Sequence, residues 1–182
     1  MEKYYLNKDE AVLLIIDIQE RMLPVINNAN SVMQRNEVLI EAAKLLGIPT
    51  IVTEHNPEGL GHTVDQLIQK MPDVKIFHKT TFSACTSEFI DYLKKMNRSK
   101  IIVTGTESHV CVFQTSRSLL DNGFSVFLVE DAVGSRTEMT LNNAISQLRD
   151  MGAVITNTET AVFDLLKESN TPQFKTLLKL IK

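Results

Sequence analysis

The amino-acid sequence predicts an α/β fold built on a parallel six-stranded sheet, and three observations carry that expectation. Short apolar runs rich in β-branched residues recur at 12–16, 101–104 and 124–129, the pattern of strands buried on both faces of a parallel sheet. Glycines at 47, 123 and 152 each close an amphipathic helical stretch and directly precede a strand-like run, the rhythm of repeated βα units. Polar side chains gather where the runs end: Asp17, Glu54, Lys79, the 108–111 stretch, Asp131 and Asn157. No repeat or linker composition interrupts this order, so residues 1–182 are expected to form one domain. A chain of that length buries about 70% of its unfolded surface, enough for a substantial core.

Taken in order, residues 12–16 (VLLII) form the first strand, ending at Asp17, and 19–28 a polar connection with Pro24. A helix is expected from Ser31, with Val32, Leu39, Ala42, Ala43 and Leu46 on one stripe and Gly47 as its stop. Residues 48–53 are the second strand, with Pro49 tolerated near its start; 54–61 read as a loop and 63–70 as a short helix. The third strand is 74–77, followed by a polar connection at 80–86 and a helix opened by Ser87 and Glu88. The fourth strand, 101–104, leads through a turn containing Gly105 into a helix that begins around Cys111 and ends at Gly123. The fifth is 124–129, ending at Glu130 and Asp131. A helix over 138–151 turns Leu141, Ala144, Ile145 and Leu148 inward; the sixth strand is 153–156, and helical patterns follow at 160–167 and 174–181.

Composition narrows the function classes. The chain is 43% hydrophobic and 23% charged, with a formal net charge of −3, which leaves no electrostatic footprint for nucleic acid or an anionic membrane. No apolar run approaches the ~20 residues of a membrane span, and the first residues, MEKYY, lack the basic and apolar parts of a signal peptide. Two cysteines, 85 and 111, make neither a disulfide framework nor a zinc spacing, in keeping with a reducing, cytoplasmic setting. The expected partner is a small molecule, and no G-x-G-x-x-G follows any strand to hold a dinucleotide.

Ligands of open parallel sheets bind beyond the carboxyl ends of the strands, where the strand order reverses. With the order 3-2-1-4-5-6, strands one and four are neighbours at that point, and Asp17 faces Cys111 across the crevice. Lys79 stands two strands away, about 10 Å at a spacing near 4.8 Å, a distance that its extended side chain largely covers. Each residue also has an ordinary reading: Cys111 as a small core residue, Asp17 as a turn cap, Lys79 as a solvated charge. Convergence of a carboxylate, an ammonium and a thiol on one pocket favours chemistry. A helix start beside the thiol is expected to lower its pKa.

Three blocks carry a family resemblance: Leu13-Leu14-Ile15-Ile16-Asp17-Ile18-Gln19, Lys79-Thr80-Thr81-Phe82-Ser83-Ala84, and the run from Gly105 to Val112 with Gln114 and Thr115. By these the chain resembles the isochorismatase-like cysteine hydrolases, and within them the isochorismatase-domain-containing subgroup. The resemblance implies a three-layer α/β/α fold with the sheet order 3-2-1-4-5-6. It also implies a catalytic triad of Asp17, Lys79 and Cys111, and a cis peptide at Thr106–Glu107. That peptide would aim the Glu107 and Cys111 N–H groups at an oxyanion. The implied activity is hydrolysis of a small amide or ureido C–N bond through a Cys thioester, by a homo-oligomer without cofactor. The alternative is a catalytically silent scaffold that keeps the fold.

The chemistry is coherent. An ordinary thiol is only a few per cent ionised at pH 7, and a neighbouring carboxylate alone worsens this. A helix start supplies about 0.3–1 kcal/mol, less than one pKa unit, so Lys79 is needed to offset Asp17. Glu54, Phe82 and Arg136 are candidate substrate-binding residues, although Arg136 could equally pair with Asp131 or Glu138. Glu54, His55 and His62 do not reproduce the Asp-x-His spacing of metal-binding nicotinamidases, so no metal is expected.

Overall fold

The computed structural model describes residues 2–181, without the side chain of Glu2. Six parallel strands, β1 (Ala11–Ile16), β2 (Thr50–His55), β3 (Lys75–Lys79), β4 (Lys100–Thr106), β5 (Ser125–Gly134) and β6 (Val154–Thr156), lie in the order β3-β2-β1-β4-β5-β6. The helices are α1 (Ala29–Leu46), α2 (Pro57–Leu60), α3 (Asp65–Ile68), α4 (Ser87–Lys95), α5 (Phe113–Asp121), α6 (Glu138–Asp150), α7 (Thr158–Leu166) and α8 (Pro172–Ile181). Among the described residues, no helix is long and apolar enough to cross a membrane.

Alternation along buried strands sorts the apolar side chains into two layers. Leu13 and Ile15 of β1 join Val52, Ile102 and Phe127 beneath α1, α7 and α8. Val12, Leu14 and Ile16 join Ile51, Val103 and Leu128 beneath α4, α5 and α6. Every residue of β1 is buried, which explains why its sequence is a continuous apolar run. The helix-ending glycines at 47, 123 and 152 take φ of 67°, 83° and 98°, the left-handed turn that returns the chain to the sheet.

Two expected boundaries are corrected. β5 does not end at Val129 but runs on to Gly134, because its pairing with β4 skips from Leu128 to Val133 opposite the Val103 to Gly105 step. This bulge holds Glu130 and Asp131, whose charges read in the sequence as a strand end. Asn36 of α1 fastens it from within, donating to Ala132 O at 3.0 Å while its Oδ1 accepts from the Thr104 hydroxyl at 2.6 Å. The second correction concerns the loop expected over 54–61, which contains the single helical turn α2.

Gly105 sets the closest approach of β1 and β4. It pairs with Ile16 at φ 114°, and a Cβ there would lie 2.0 Å from Ile16 O and 2.6 Å from Ile16 N. Backbone cannot yield as a flexible side chain does. Gly105→Ala is therefore expected to cost at least about 3 kcal/mol, the upper end of ordinary overpacking, seen as a lower denaturation midpoint. A variant as stable as the parent chain would show that the two strands can part here.

Candidate active site

The site forms where β1 and β4 lie side by side, at the carboxyl ends of the strands. Asp17 leaves β1 with φ 51°, a left-handed conformation that Asp tolerates better than most residues, and its N–H donates to Thr53 O at 3.1 Å. Its buried carboxylate accepts from the Thr53 hydroxyl (2.6 Å, Oδ1) and from Lys79 Nζ (2.6 Å, Oδ2). The Lys79 side chain is as buried as its partner, at 2% and 1% exposure. An isolated charge in such a place costs several kcal/mol, and the close pairing with added hydrogen bonds makes this one tolerable. From the far side, the Thr106 hydroxyl donates to Asp17 O at 2.7 Å and ties β4 to the turn.

Cys111 belongs to a wide helical turn, Ser108–Val112, that precedes α5. Its signature is the Val112 N–H donating five residues back to Glu107 O at 3.1 Å, an oxygen that also accepts from Val110 N–H at 3.0 Å. The Thr106–Glu107 peptide bond just before it is cis. Ser108 anchors the turn to β5 through its hydroxyl on Gly134 O at 2.8 Å.

The thiol departs from the lowered pKa expected of it. Burial pushes Cys111 up to about 12; the Asp17 charge pushes the same way, and the Lys79 ammonium opposes both without prevailing. Cys111 is buried, and the partial charge of one wide turn does not replace lost hydration. The resting group is a thiol within the influence of both members of the ion pair. Cys85, half-buried beside Ser83, is raised to about 11 by burial.

The remaining candidates are dispersed. Glu54 points away from Thr53 and is fully engaged: Oε1 accepts from Thr63 N (2.7 Å) and Oγ1 (2.8 Å), and Oε2 meets His62 Nδ1 (3.0 Å) and His78 Nε2 (3.2 Å). The carboxylate expected to bind substrate is already bonded to the 62–63 connection and to His78 of β3. Arg136 pairs with neither Asp131 nor Glu138 but with Glu107, Nε to Oε1 at 2.6 Å, next to the cis peptide. Asp131 instead caps α7, accepting from Thr158 N at 2.8 Å, and pairs with Arg35 at 3.3 Å. Phe82 is half-exposed, with its ring 5.4 Å from that of His55. Adjacent in β2, Glu54 and His55 point to opposite faces, so His55 stands apart from the Glu54–His62 contact. Among the described residues, no group of three or more His, Cys, Asp or Glu is arranged to hold a metal ion.

Two contributors escaped the sequence reading. Thr53 carries a period-two signal, standing two residues before His55 on one face of β2. Gln19 clamps β2 to the following loop, donating from Nε2 to His55 O (3.0 Å) and Gly61 O (2.6 Å) while its Oε1 accepts from His55 N (2.7 Å).

A doubly wound sheet with a polar cluster at its switch point is the architecture of an α/β ligand-binding or enzyme domain, and comparison with known proteins gives the family. The isochorismatase domain model matches residues 11–160. Isochorismatase family protein 1A of Dictyostelium discoideum is 37% identical over 180 residues, covering 96% of this chain and 87% of that protein. Isochorismatase domain-containing protein 2 of Danio rerio is 36% identical over 172 residues, covering 94% and 86%. Among solved structures, the MAR1 ribonuclease of Caenorhabditis elegans superposes with a TM-score of 0.92 at 39% identity, covering 97% and 92%. The chain belongs to the isochorismatase family.

Two measurements test the electrostatics. His62 is raised above its ordinary 6.5 by its hydrogen bond to Glu54, so its contribution to stability is complete below that value and is lost as pH rises through the folded value. Burial alone would raise Glu54, but bonds from the Thr63 N–H, His62 and the Thr63 hydroxyl outweigh it and hold the carboxyl below the ordinary range. Its contribution is therefore lost as pH falls through the folded value. In Glu54→Gln, the His62 midpoint read by NMR is expected to move back toward 6.5; an unmoved midpoint contradicts the pairing. For Cys111, labelling by iodoacetamide at pH 7 is expected to be no faster than that of a free cysteine and to rise with pH beyond 9. Rapid labelling at pH 7 would mean that the thiolate is preformed.

Proposed function

We propose that the protein hydrolyses the C–N bond of a small amide or ureido compound, with Cys111 as nucleophile, Asp17 as general base and acid, and Lys79 as the cation paired with Asp17. The observation that carries this reading is the buried 2.6 Å ion pair between Lys79 and Asp17 beside a protonated thiol. A carboxylate paired with a buried cation is a base poised next to a group that must lose a proton.

Asp17 takes the Cys111 proton as sulfur attacks the carbonyl carbon, and the negative charge collects on the carbonyl oxygen. The Glu107 and Cys111 backbone N–H groups receive that oxyanion, each donor worth about 3–4 kcal/mol in comparable sites. As the tetrahedral species collapses, the C–N bond breaks and Asp17 returns the proton to the departing nitrogen, leaving a thioester. Water then gives a proton to Asp17 while its oxygen attacks the thioester. The C–S bond breaks, sulfur recovers the proton, and a carboxylic or carbamic acid leaves. The raised thiol pKa suits this sequence, because proton removal coincides with attack. A homo-oligomer belongs to the same reading, as Met139 is 76% exposed and Tyr4, Tyr5 and Val25 are each more than half exposed.

A second reading, a catalytically silent scaffold, is favoured by the same thiol: buried and held near 12, it is also what an inert core cysteine would be. Ammonia release from a panel of primary amides and N-carbamoyl amino acids separates the two. RNA is assayed alongside, by strand cleavage on a gel, because the C. elegans relative is named a ribonuclease. Cys111→Ala is expected to lower turnover on the order of 10³-fold or more, and Asp17→Asn by about 10²–10⁴-fold, with circular dichroism unchanged. Turnover that survives Cys111→Ala sinks the mechanism, and a wild-type protein inert toward every compound supports the scaffold.

A further inference from the structure

His55 stands beside the ion pair without a part in the steps above. In the β2–β3 ladder it is directly opposite Lys79, and Thr53 is opposite Phe77. Side chains alternate along a strand and opposed residues point the same way, so Thr53, His55 and Lys79 share one face. Thr53 and Lys79 each hold an oxygen of Asp17. His55 therefore lies one rung further out on that face, at the carboxyl end where ligands of such sheets enter. Its backbone is fixed by Gln19 on both N–H and carbonyl, and Asn56 N–H donates to Lys79 O at 2.8 Å.

The imidazole has an unmet requirement. Among the described residues, His55 Nδ1 is buried and has no hydrogen-bond partner, whereas His62 and His78 meet Glu54 and His109 meets the Ser135 hydroxyl. Buried polar atoms are seldom left so, and one without a partner marks a place that a ligand or a water fills. The neighbouring ring of Phe82 is half-exposed and offers an apolar surface next to His55.

We propose that His55 is a substrate-contacting specificity residue. Its Nδ1 hydrogen-bonds an N–H on the departing nitrogen, and Phe82 covers the substrate's apolar side. This rests on the amide reading above, in which the carbonyl oxygen turns toward β4 and the nitrogen toward Asp17. The next atoms out toward β2 and β3 are those on the nitrogen. The substrate class narrows to primary carboxamides and ureides, whose departing nitrogen keeps an N–H besides the one facing Asp17.

The test uses the full-length Cys111→Ala protein, with benzamide and phenylurea as probes and N,N-dimethylbenzamide, which has no N–H, as control. Benzamide and phenylurea are expected to shift the ¹⁵N resonance of His55 Nδ1, and the control to leave it in place. In the protein with Cys111 intact, His55→Phe should lower kcat/KM for benzamide on the order of 10-fold, mainly through KM, the loss of one buried hydrogen bond. His55→Asn, whose amide can place a polar atom near Nδ1, should recover most of it. Probes that shift resonances around position 111 while His55 Nδ1 stays still overturn this proposal alone. Equal shifts from the control also overturn it, leaving a structural or water-filled role. Failure of both probes to bind, together with no turnover of any amide, overturns it along with the amide reading.

Discussion

The buried pairing of Asp17 with Lys79 is the constraint on which the active-site end of this molecule depends. Two opposite charges 2.6 Å apart, both withdrawn from water, are stable only while the surrounding hydrogen bonds are complete. That requirement explains several details at once. Thr53 must present a hydroxyl on the same face, the chain must turn left-handed at Asp17, and Thr106 must satisfy the Asp17 carbonyl. It also makes the sheet order meaningful, because β3, β2, β1 and β4 each contribute one of these groups. Removing one partner would strand the other charge, which generally costs about 3–5 kcal/mol, far more than the net worth of the pair.

The same pairing governs the thiol. Lys79 could in principle stabilise a thiolate, but its nearer obligation is to Asp17, and burial does the rest. Cys111 is thus held as an acid beside a base, which differs from a preformed ion pair of thiolate and cation. On the β4 side, Arg136 and Glu107 neutralise one another, so paired rather than bare charge lies beside the cis peptide.

The sheet was legible because both-face burial leaves no alternative to continuous apolar strands, and the helix-closing glycines marked where three of the six start. Asp17 and Lys79 were legible as polar residues at strand ends, whereas Cys111 lies beyond the end of β4 in a turn of its own. The rest depended on contacts far apart in the chain. The charges of Glu130 and Asp131 resembled a strand end, and only the bulge against β4, pinned by Asn36, reveals that β5 continues. No local pattern announces that Arg136 will choose Glu107, or that Glu54 will be spent on Thr63 and two histidines. The wide turn around Cys111 was read as a plain helix start, since one extra residue per turn changes hydrogen bonding without changing the apolar stripe. The thiol pKa was misjudged because desolvation depends on depth, which the sequence alone does not supply.

The position of the cluster at the junction of β1 and β4 has a consequence for folding. Strands β1, β2 and β3 are contiguous in sequence, as are β4, β5 and β6, so each half can grow by βα additions. Within the sheet the two halves meet at the β1–β4 ladder, which closes a long loop, the kind of contact whose entropic cost is met late. Asp17 and Lys79 come from the first half, and Cys111 with the Thr106–Glu107 peptide from the second. Neither half holds the full set, so the cluster is assembled only when the two halves dock.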